Sequence, residues 1–398
     1  MLAKLTILAM AAASALTAVA DDKVVVPDST GFTFTDIKLV PTTSVKDQNK
    51  SGTCWCFAGT SYFEDEIMRQ GGDSLDLSEM FTVRYCYLDK ARKFLRMQGH
   101  GNLAAGGSIL DVPYVWARYG AVPESEYAGL NYGEAKHDHS ELDGVISAYM
   151  NAVVRNKKVS TAWEDGLNGI LDAYLGAVPE TFTINGKTYT PASYAESLGL
   201  KMDDYVPVTS FTHQPFYTAF GLELADNWLW GQYNNVPLEE MKAIVDNSID
   251  NGYSVVWAAD VSEKGFKWRQ GYAILPELKS EKDMDGTELS RWVQLSDKDR
   301  EDEQYNTKGP VAEQKVTQES RQQMFDRMET TDDHGMVIIG RAVDQEGNKY
   351  YKVKNSWDTN QVYNGYFYVS EPYFLAKTMS VLVNRNAIPK AIAKKMGI

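Results

Sequence analysis

The sequence predicts an α+β fold of two lobes, with a helical lobe towards the amino terminus and a β-rich lobe towards the carboxyl terminus. Residues 55–69 carry apolar side chains at helical spacing. In contrast, residues 336–340 form an apolar run, and residues 350–357 alternate between polar and apolar side chains as strands do. About 270 residues separate the two patterns.

The composition is that of an acidic globular protein. Its 398 residues are enough for two or three cores at about 150 residues each. Hydrophobic residues make up 43% of the chain and the formal net charge is −14. Such a charge repels phosphate backbones, and no cluster of Lys and Arg is interleaved with aromatic residues. Nucleic acid is therefore not expected as a partner.

The first twenty residues have the pattern of a secretory signal peptide. Lys4 supplies a positive charge, residues 5–16 are apolar, and small residues precede Asp21. We predict cleavage after Ala20 and an exported protein that is periplasmic or secreted. A membrane anchor would need a longer apolar stretch. No other run approaches that length, so stable membrane insertion is not expected.

The chain has three cysteines, Cys54, Cys56 and Cys86. Because this number is odd, at least one thiol remains unpaired. Cys54 and Cys56 lie two positions apart on a predicted helix, so their side chains diverge and a bridge between them would be strained. We expect Cys56 and Cys86 to be packing residues.

Cys54 stands after a Gly-containing turn and at the head of the first predicted helix. The positive end of a helix dipole favours thiolate over thiol, and the thiolate is a nucleophile. Gln48, six residues upstream, offers an amide that could stabilise an oxyanion at the same place. Taken alone, this segment also fits a small buried cysteine with no chemical role.

His334 and Asn355 belong to two strand-like runs joined by a Gly-bearing turn at residues 346–348. A hairpin would hold the imidazole and the amide near one of its ends. A nucleophile, a base and a residue that orients the base then follow in the order Cys, His, Asn.

These segments together resemble the papain-like cysteine peptidases, and within them the bleomycin hydrolase and aminopeptidase C family. The resemblance covers residues 40–130 and 230–385 and is thin over 131–205. It implies a papain-like two-lobe fold, with a helical Cys lobe, an antiparallel, β-barrel-like His lobe, and a large insertion between the lobes. It also implies peptide substrates, no cofactor, no metal, and a homo-hexamer.

The resemblance assigns catalytic roles to Cys54, His334 and Asn355, with Gln48 in the oxyanion hole. We expect the first two to form a thiolate–imidazolium pair, because an adjacent cation and a helix terminus both lower a thiol pKa. Trp357 is expected to shield the bond between His334 and Asn355 from water, which would strengthen it.

Gly106 and Gly107 are expected to bind an extended substrate through their main chain, as the corresponding turn does in the family. Paired glycines allow such close approach. The alternative is a plain turn before a helix over residues 109–119.

The expected organisation has five parts: a signal peptide at 1–20, a helical Cys lobe at 21–130, an insertion of mixed helix and hairpin at 131–230, a β-rich His and Asn lobe at 231–385 with an exposed charged insertion at 277–325, and a short tail at 386–398. His137 and His139 lack a third metal ligand at suitable spacing, and the charged neighbours Glu134, Asp138 and Glu141 predict a solvated loop there. Whether the tail reaches the cleft, as a longer arm does in the family, is left open.

The predicted function is that of a cysteine peptidase, with an aminopeptidase of the bleomycin hydrolase type as the first hypothesis. One alternative is a cysteine endopeptidase with an open cleft. The other is a non-catalytic binding protein that kept the fold.

Overall fold

The computed structural model describes residues 30–277 and 281–398, so the predicted signal peptide at 1–20 lies outside the described residues. The helices are α1 Cys54–Arg69, α2 Glu79–Arg96, α3 Asp111–Tyr119, α4 Ser140–Val154, α5 Ala162–Leu175, α6 Pro191–Ser197, α7 Leu238–Asp250, α8 Gly286–Trp292, α9 Asp297–Tyr305, α10 Gln318–Asp326, α11 Glu371–Lys377 and α12 Lys390–Met396. The strands are β1 Thr35–Leu39, β2 Phe182–Ile184, β3 Lys187–Tyr189, β4 Tyr205–Thr209, β5 Ala219–Gly221, β6 Gln232–Asn235, β7 Val255–Ala259, β8 Phe266–Lys267, β9 Tyr272–Ala273, β10 His334–Val343, β11 Lys349–Lys354, β12 Tyr366–Ser370 and β13 Thr378–Asn384.

The predicted α+β class is confirmed: helices dominate the first half, and one large sheet organises the second. The sheet has 11 strands in the order β5-β6-β4-β13-β7-β10-β11-β12-β9-β8, with β1 paired to β10. Most pairs are antiparallel, but β4 with β6 and β12 with β9 are parallel. The sheet is therefore mixed, and its strand order runs as an open path.

The helical lobe is built on α1, which is buried over almost its whole length. Ser78 caps the next helix, α2, by accepting a hydrogen bond from the backbone N–H of Phe81 at 3.0 Å. Helices α4 and α5 lay Ile146 and Leu171 into the same apolar core. The segment 131–230 thus contributes directly to the packing of the Cys lobe.

Strands β4 and β5 of that segment, with β6 directly after it, extend the sheet of the other lobe. The predicted hairpin within residues 181–190 is also present, as β2 and β3. Its two turn residues, Asn185 and Gly186, both have positive φ, 50° and 79°, as a tight hairpin turn requires.

The charged stretch 277–325 forms α8, α9 and most of α10, and its acidic helices are mainly exposed, as predicted. Arg321 of this stretch is an exception, because it is buried, which the sequence did not predict. It is 1% exposed, and its guanidinium donates to the backbone carbonyls of Ser210 at 2.8 Å and Leu375 at 3.0 Å. A guanidinium with several acceptors can be buried. These hydrogen bonds fix α10 between the end of β4 and α11.

Candidate active site

The loop before Cys54 is shaped by two residues with positive φ, Asn49 at 46° and Gly52 at 67°. Helix α1 then begins at Cys54, with the N–H of Cys56 bonded to the carbonyl of Thr53 at 2.9 Å. Cys54 is partly exposed, whereas the next residues of α1 are buried. The thiol therefore stands where the helix emerges into a cleft.

Strand β10 meets the start of α1 at Gly335. A Cβ atom on Gly335 would lie 3.0 Å from the Cα of Trp55 and 3.4 Å from the carbonyl carbon of Cys54. Only a residue without a side chain allows this approach, and it places the neighbouring His334 beside the head of the helix.

His334 and Asn355 meet at one end of the hairpin formed by β10 and β11, as predicted. His334 Nε2 lies 2.7 Å from Asn355 Oδ1, and both side chains are buried. The N–H of Ser356 also donates to Oδ1 at 2.7 Å, which identifies this atom as the amide oxygen. His334 Nε2 is therefore the protonated nitrogen, and Nδ1 is free to accept a proton.

Trp357 covers this pair. Its ring centroid lies 4.4 Å from that of His334 and 5.5 Å from that of Trp268. The indole is half-buried, so it limits the access of water to the imidazole from one side.

A single cleft contains the thiol and the imidazole. It is lined by Cys54, Trp55, Gly107, Ser108, Ile109, Leu224, Asp226, Tyr233, Ala258, Asp332, Asp333, His334, Gly335 and Ser380. Residues from both lobes and from the segment 222–233 thus surround the same space.

Burial governs the protonation of the two groups. Together with the nearby charges of Asp332 and Asp226, it raises the pKa of the Cys54 thiol to about 12, against hydrogen bonds from Gly335 and Trp55 that lower it. Burial lowers the pKa of His334 to about 4, against the bond to Asn355, which raises it. Both groups are therefore neutral between these values.

These shifts oppose the expected thiolate–imidazolium pair in the free site. The helix terminus and an adjacent cation favour that pair. The loss of solvent and the two carboxylates favour the neutral thiol instead. Proton transfer from sulfur to imidazole then belongs to the attack itself.

Gln48 is buried beside the hairpin. Its Oε1 accepts a hydrogen bond from Ser356 Oγ at 2.7 Å, and its N–H bonds to the carbonyl of Ser356 at 2.9 Å. These contacts fix the amide and leave Nε2 without a partner among the residues at 30–277 and 281–398. An amide held in this way is suited to donate to a substrate oxygen.

Gly106 and Gly107 form a turn along the cleft, and Gly107 lines it. A Cβ on Gly106 would meet a carboxylate oxygen of Asp226 at 2.2 Å, and a Cβ on Gly107 would meet the ring of Trp55 at 2.7 Å. Both positions therefore require glycine for packing, whatever contacts a substrate makes there.

His137 and His139 do not lie in a solvated loop, and that prediction is wrong. They are 9% and 0% exposed. The segment pairs with the loop before Cys54, because the N–H of Lys50 bonds to the carbonyl of His137 at 3.1 Å and the N–H of His139 bonds to the carbonyl of Lys50 at 3.2 Å. The charged neighbours suggested solvent, but these backbone bonds turn both imidazoles inwards.

The C-terminal tail packs on the outside of the second lobe. Helix α12 buries Ile392 in the core under α7, and Lys395 pairs with Glu240 of α7. Among the described residues, none after Ser380 lines the cleft.

The sequence did not predict that Asp226, Tyr233, Asp332 and Ser380 line the cleft. Only Asp332 had a signal, since it lies two positions before His334. The other three are brought in by segments far from either motif.

In the part of the chain that the structure describes, no helix is both long and apolar enough to cross a bilayer.

Comparisons with known proteins agree with these features. Residues 32–172 match the papain family cysteine proteases, and residues 301–397 match the Peptidase C1-like family. Aminopeptidase C of Streptococcus thermophilus is 23% identical over 86% of this chain and 80% of its own length. Aminopeptidase C of Lactobacillus helveticus is 22% identical over 87% and 81%, and aminopeptidase W of Lactobacillus delbrueckii subsp. lactis is 22% identical over 88% and 83%.

The crystal structure of PepW from Lactobacillus rhamnosis is similar to this fold with a TM-score of 0.68. The two chains are 19% identical, and the match covers 91% of this chain and 84% of PepW. At this identity the likeness establishes the fold alone.

Proposed function

We infer that this chain, which belongs to the papain-like cysteine peptidases of the bleomycin hydrolase and aminopeptidase C family, hydrolyses peptides from their free amino termini. One observation carries the proposal: the thiol of Cys54 and the hydrogen-bonded pair of His334 and Asn355 line the same cleft. That the relatives named above are aminopeptidases supports the choice of free amino termini.

The proposed reaction begins with proton transfer from Cys54 Sγ to Nδ1 of His334 as the sulfur attacks the scissile carbonyl carbon. Asn355 holds the ring through Nε2. Gln48 Nε2 and the backbone N–H of Cys54 are placed in the role of donors to the oxyanion. His334 then protonates the leaving amine, and water attacks the thioester to release the acyl group and restore the thiol.

Cys54→Ala tests this proposal. We expect loss of hydrolysis of aminoacyl-aminomethylcoumarin substrates and loss of iodoacetamide labelling, because the nucleophilic sulfur is gone. Cys56→Ala is the matched control, since it removes a fully buried thiol two positions away and should keep activity. Peptide hydrolysis that survives in Cys54→Ala would refute the mechanism.

An endopeptidase with an open cleft is the second candidate. It is favoured by the position of α12, which packs against α7 and not in the cleft. Matched peptides with free and acetylated amino termini separate the two, because an endopeptidase accepts both. A non-catalytic binding protein would react with no thiol-directed peptide analogue at Cys54.

Export and assembly are further proposals. The amino-terminal pattern supports export, and the mature protein should then begin at Asp21 in a mass measurement. A homo-hexamer is proposed from the family resemblance alone, and sedimentation of the purified protein tests it.

A further inference from the structure

Two carboxylates share the cleft with the nucleophile. Asp332 and Asp226 line it together with Cys54 and His334, and both are half-buried. Asp226 lies against the turn at Gly106, where its Oδ1 accepts a hydrogen bond from Asn102 Nδ2 at 2.5 Å. One acid thus comes from the residues just before β10, which carries the base, and the other comes from the segment 222–231.

Asp332 has no partner within the described ranges, 30–277 and 281–398: no hydrogen bond or ion pair reaches its carboxylate. The neighbouring Asp333 is different, since it accepts hydrogen bonds from the N–H of Ser262 at 3.0 Å and from Thr331 Oγ1 at 2.9 Å. Asp333 is therefore explained by loop structure, and Asp332 is not.

An unpaired carboxylate removed from water is costly unless a cation joins it. No Lys or Arg is among the residues that line the cleft. Burial, together with the charges of Asp226 and Asp333, raises the pKa of Asp332 to about 7. Among the described residues no group of three His, Cys, Asp or Glu side chains could hold a metal ion, so an organic cation fits the pair better.

A substrate with a free amino terminus carries such a cation. When its first residue is cleaved, the α-ammonium nitrogen is two bonds from the scissile carbonyl carbon, or about 2.5 Å away. It must therefore enter the small space that contains Cys54 Sγ, and the two carboxylates line that same space.

We propose that Asp332, assisted by Asp226, binds the α-ammonium group of the substrate and so confers selectivity for free amino termini. This inference rests on the peptidase function proposed above. The group that selects free amino termini then lies in the cleft wall and not on a C-terminal arm. Helix α12 packs against α7, away from the cleft.

Binding of the ammonium group has a second consequence. Both carboxylates raise the pKa of the Cys54 thiol. A bound cation offsets their charge and thereby lowers that pKa, so a substrate with a free amino group promotes the loss of the thiol proton. Selectivity then appears in kcat as well as in KM.

Asp332→Asn tests the proposal with three substrates: leucyl-aminomethylcoumarin, acetyl-leucyl-aminomethylcoumarin, and acetyl-lysyl-leucyl-aminomethylcoumarin. We expect the ratio of kcat/KM between the first and the second to fall tenfold or more, with kcat contributing to the change. Asp332→Glu, which keeps the charge, should recover part of the ratio. Asp73→Asn is the matched control, because Asp73 is exposed near the far end of α1 and should leave the ratio unchanged.

Each other outcome counts against the proposal. An unchanged ratio in a folded Asp332→Asn protein overturns it, and a loss limited to the lysyl substrate would assign the acids to a side-chain subsite. Melting temperature and titration of the Cys54 thiol report whether each variant is folded with its site intact. If the wild-type protein hydrolyses none of the substrates, the proposed peptidase function is wrong. If the wild-type protein is active and its selectivity is the same in Asp332→Asn, only the proposed role of Asp332 is wrong.

Discussion

Cys54 and Cys56 show how much one helix position changes a thiol. Cys54 faces the cleft, whereas Cys56 is 0% exposed and its sulfur lies 3.3 Å from the carbonyl of Glu79. Cys86 is also buried, and all three cysteines are unpaired. The prediction that Cys56 and Cys86 are packing residues is confirmed by their burial. Their different surroundings follow from helix geometry, since positions two apart point to different sides.

Asp332 should also control the reactivity of the empty site. Its pKa is raised to about 7, so it is charged above that pH and neutral below it. Its charge raises the pKa of Cys54. The titratable groups that line the cleft with Asp332 are Cys54 from α1, Asp226 from the segment 222–231, Tyr233 from β6, His334 from the start of β10, and Asp333, the residue before that strand.

Asp332→Asn is therefore expected to raise the rate of Cys54 alkylation by iodoacetamide severalfold at pH 8, because removing the charge lowers the thiol pKa and increases the thiolate fraction. The two proteins should converge near pH 5, where Asp332 is already protonated in the wild type. Mass spectrometry of the labelled Cys54 peptide measures both rates. Equal rates at pH 8 would show that the carboxylate does not act on the sulfur.

At the scale of elements, the site depends on the contact between α1 and the hairpin of β10 and β11. The register pairs Val337 with Lys354, which leaves His334 and Asn355 at the same open end. Lys354 then anchors β11 to the other lobe, because its buried ammonium donates to the carbonyl of Thr43 and to Ser61 Oγ, both at 2.8 Å.

The helix and the hairpin were both predictable because their signals are local: apolar periodicity and a Gly-bearing turn. The burial of Lys354 and of His137 was not predictable. Charged and polar side chains usually face solvent, and only the acceptors supplied by distant loops make these positions tolerable.

Gly335→Ala should separate the two elements without unfolding them. The added methyl group would be 3.0 Å from the Cα of Trp55, so β10 must shift and move His334 away from Cys54. The shift needed is a few tenths of an ångström. Because a misplacement of about 1 Å can cost about 100-fold, we expect kcat to fall severalfold. Gly144→Ala is the control, since no atom lies within 4 Å of its added Cβ on α4. Wild-type kcat in Gly335→Ala would mean that this close contact does not position the base.

At the scale of the whole molecule, two large apolar cores support the two lobes, and the cleft opens where they meet. The fold expected from the resemblance is confirmed by the match to papain family cysteine proteases and by the likeness to PepW. Segment 131–230 could not be interpreted from sequence to the same degree. Its helices join one core and its strands join the other sheet, so no single local pattern describes it.

Deletion of residues 390–398 tests the role of the tail. It removes Ile392 from the core under α7, and we expect the free energy of unfolding to fall by about 2 kcal/mol. The preference for free over acetylated amino termini should not change, because α12 does not line the cleft. Lys395→Gln, which keeps the helix and removes its ion pair with Glu240, is the control. A tenfold change in that preference after deletion would instead place the tail in the cleft.

The sequence by itself determined the α+β class, the first helix, the hairpin, and the order in which Cys54, His334 and Asn355 occur. These follow from short-range periodicity and from motifs, which require no knowledge of distant contacts. Only the tertiary structure decided that Asp226 and Asp332 share a cleft with the thiol, that burial shifts the thiol and the imidazole towards their neutral forms, and that the tail lies elsewhere. Desolvation and charge proximity depend on how segments more than 100 residues apart pack together, and no local pattern contains that information.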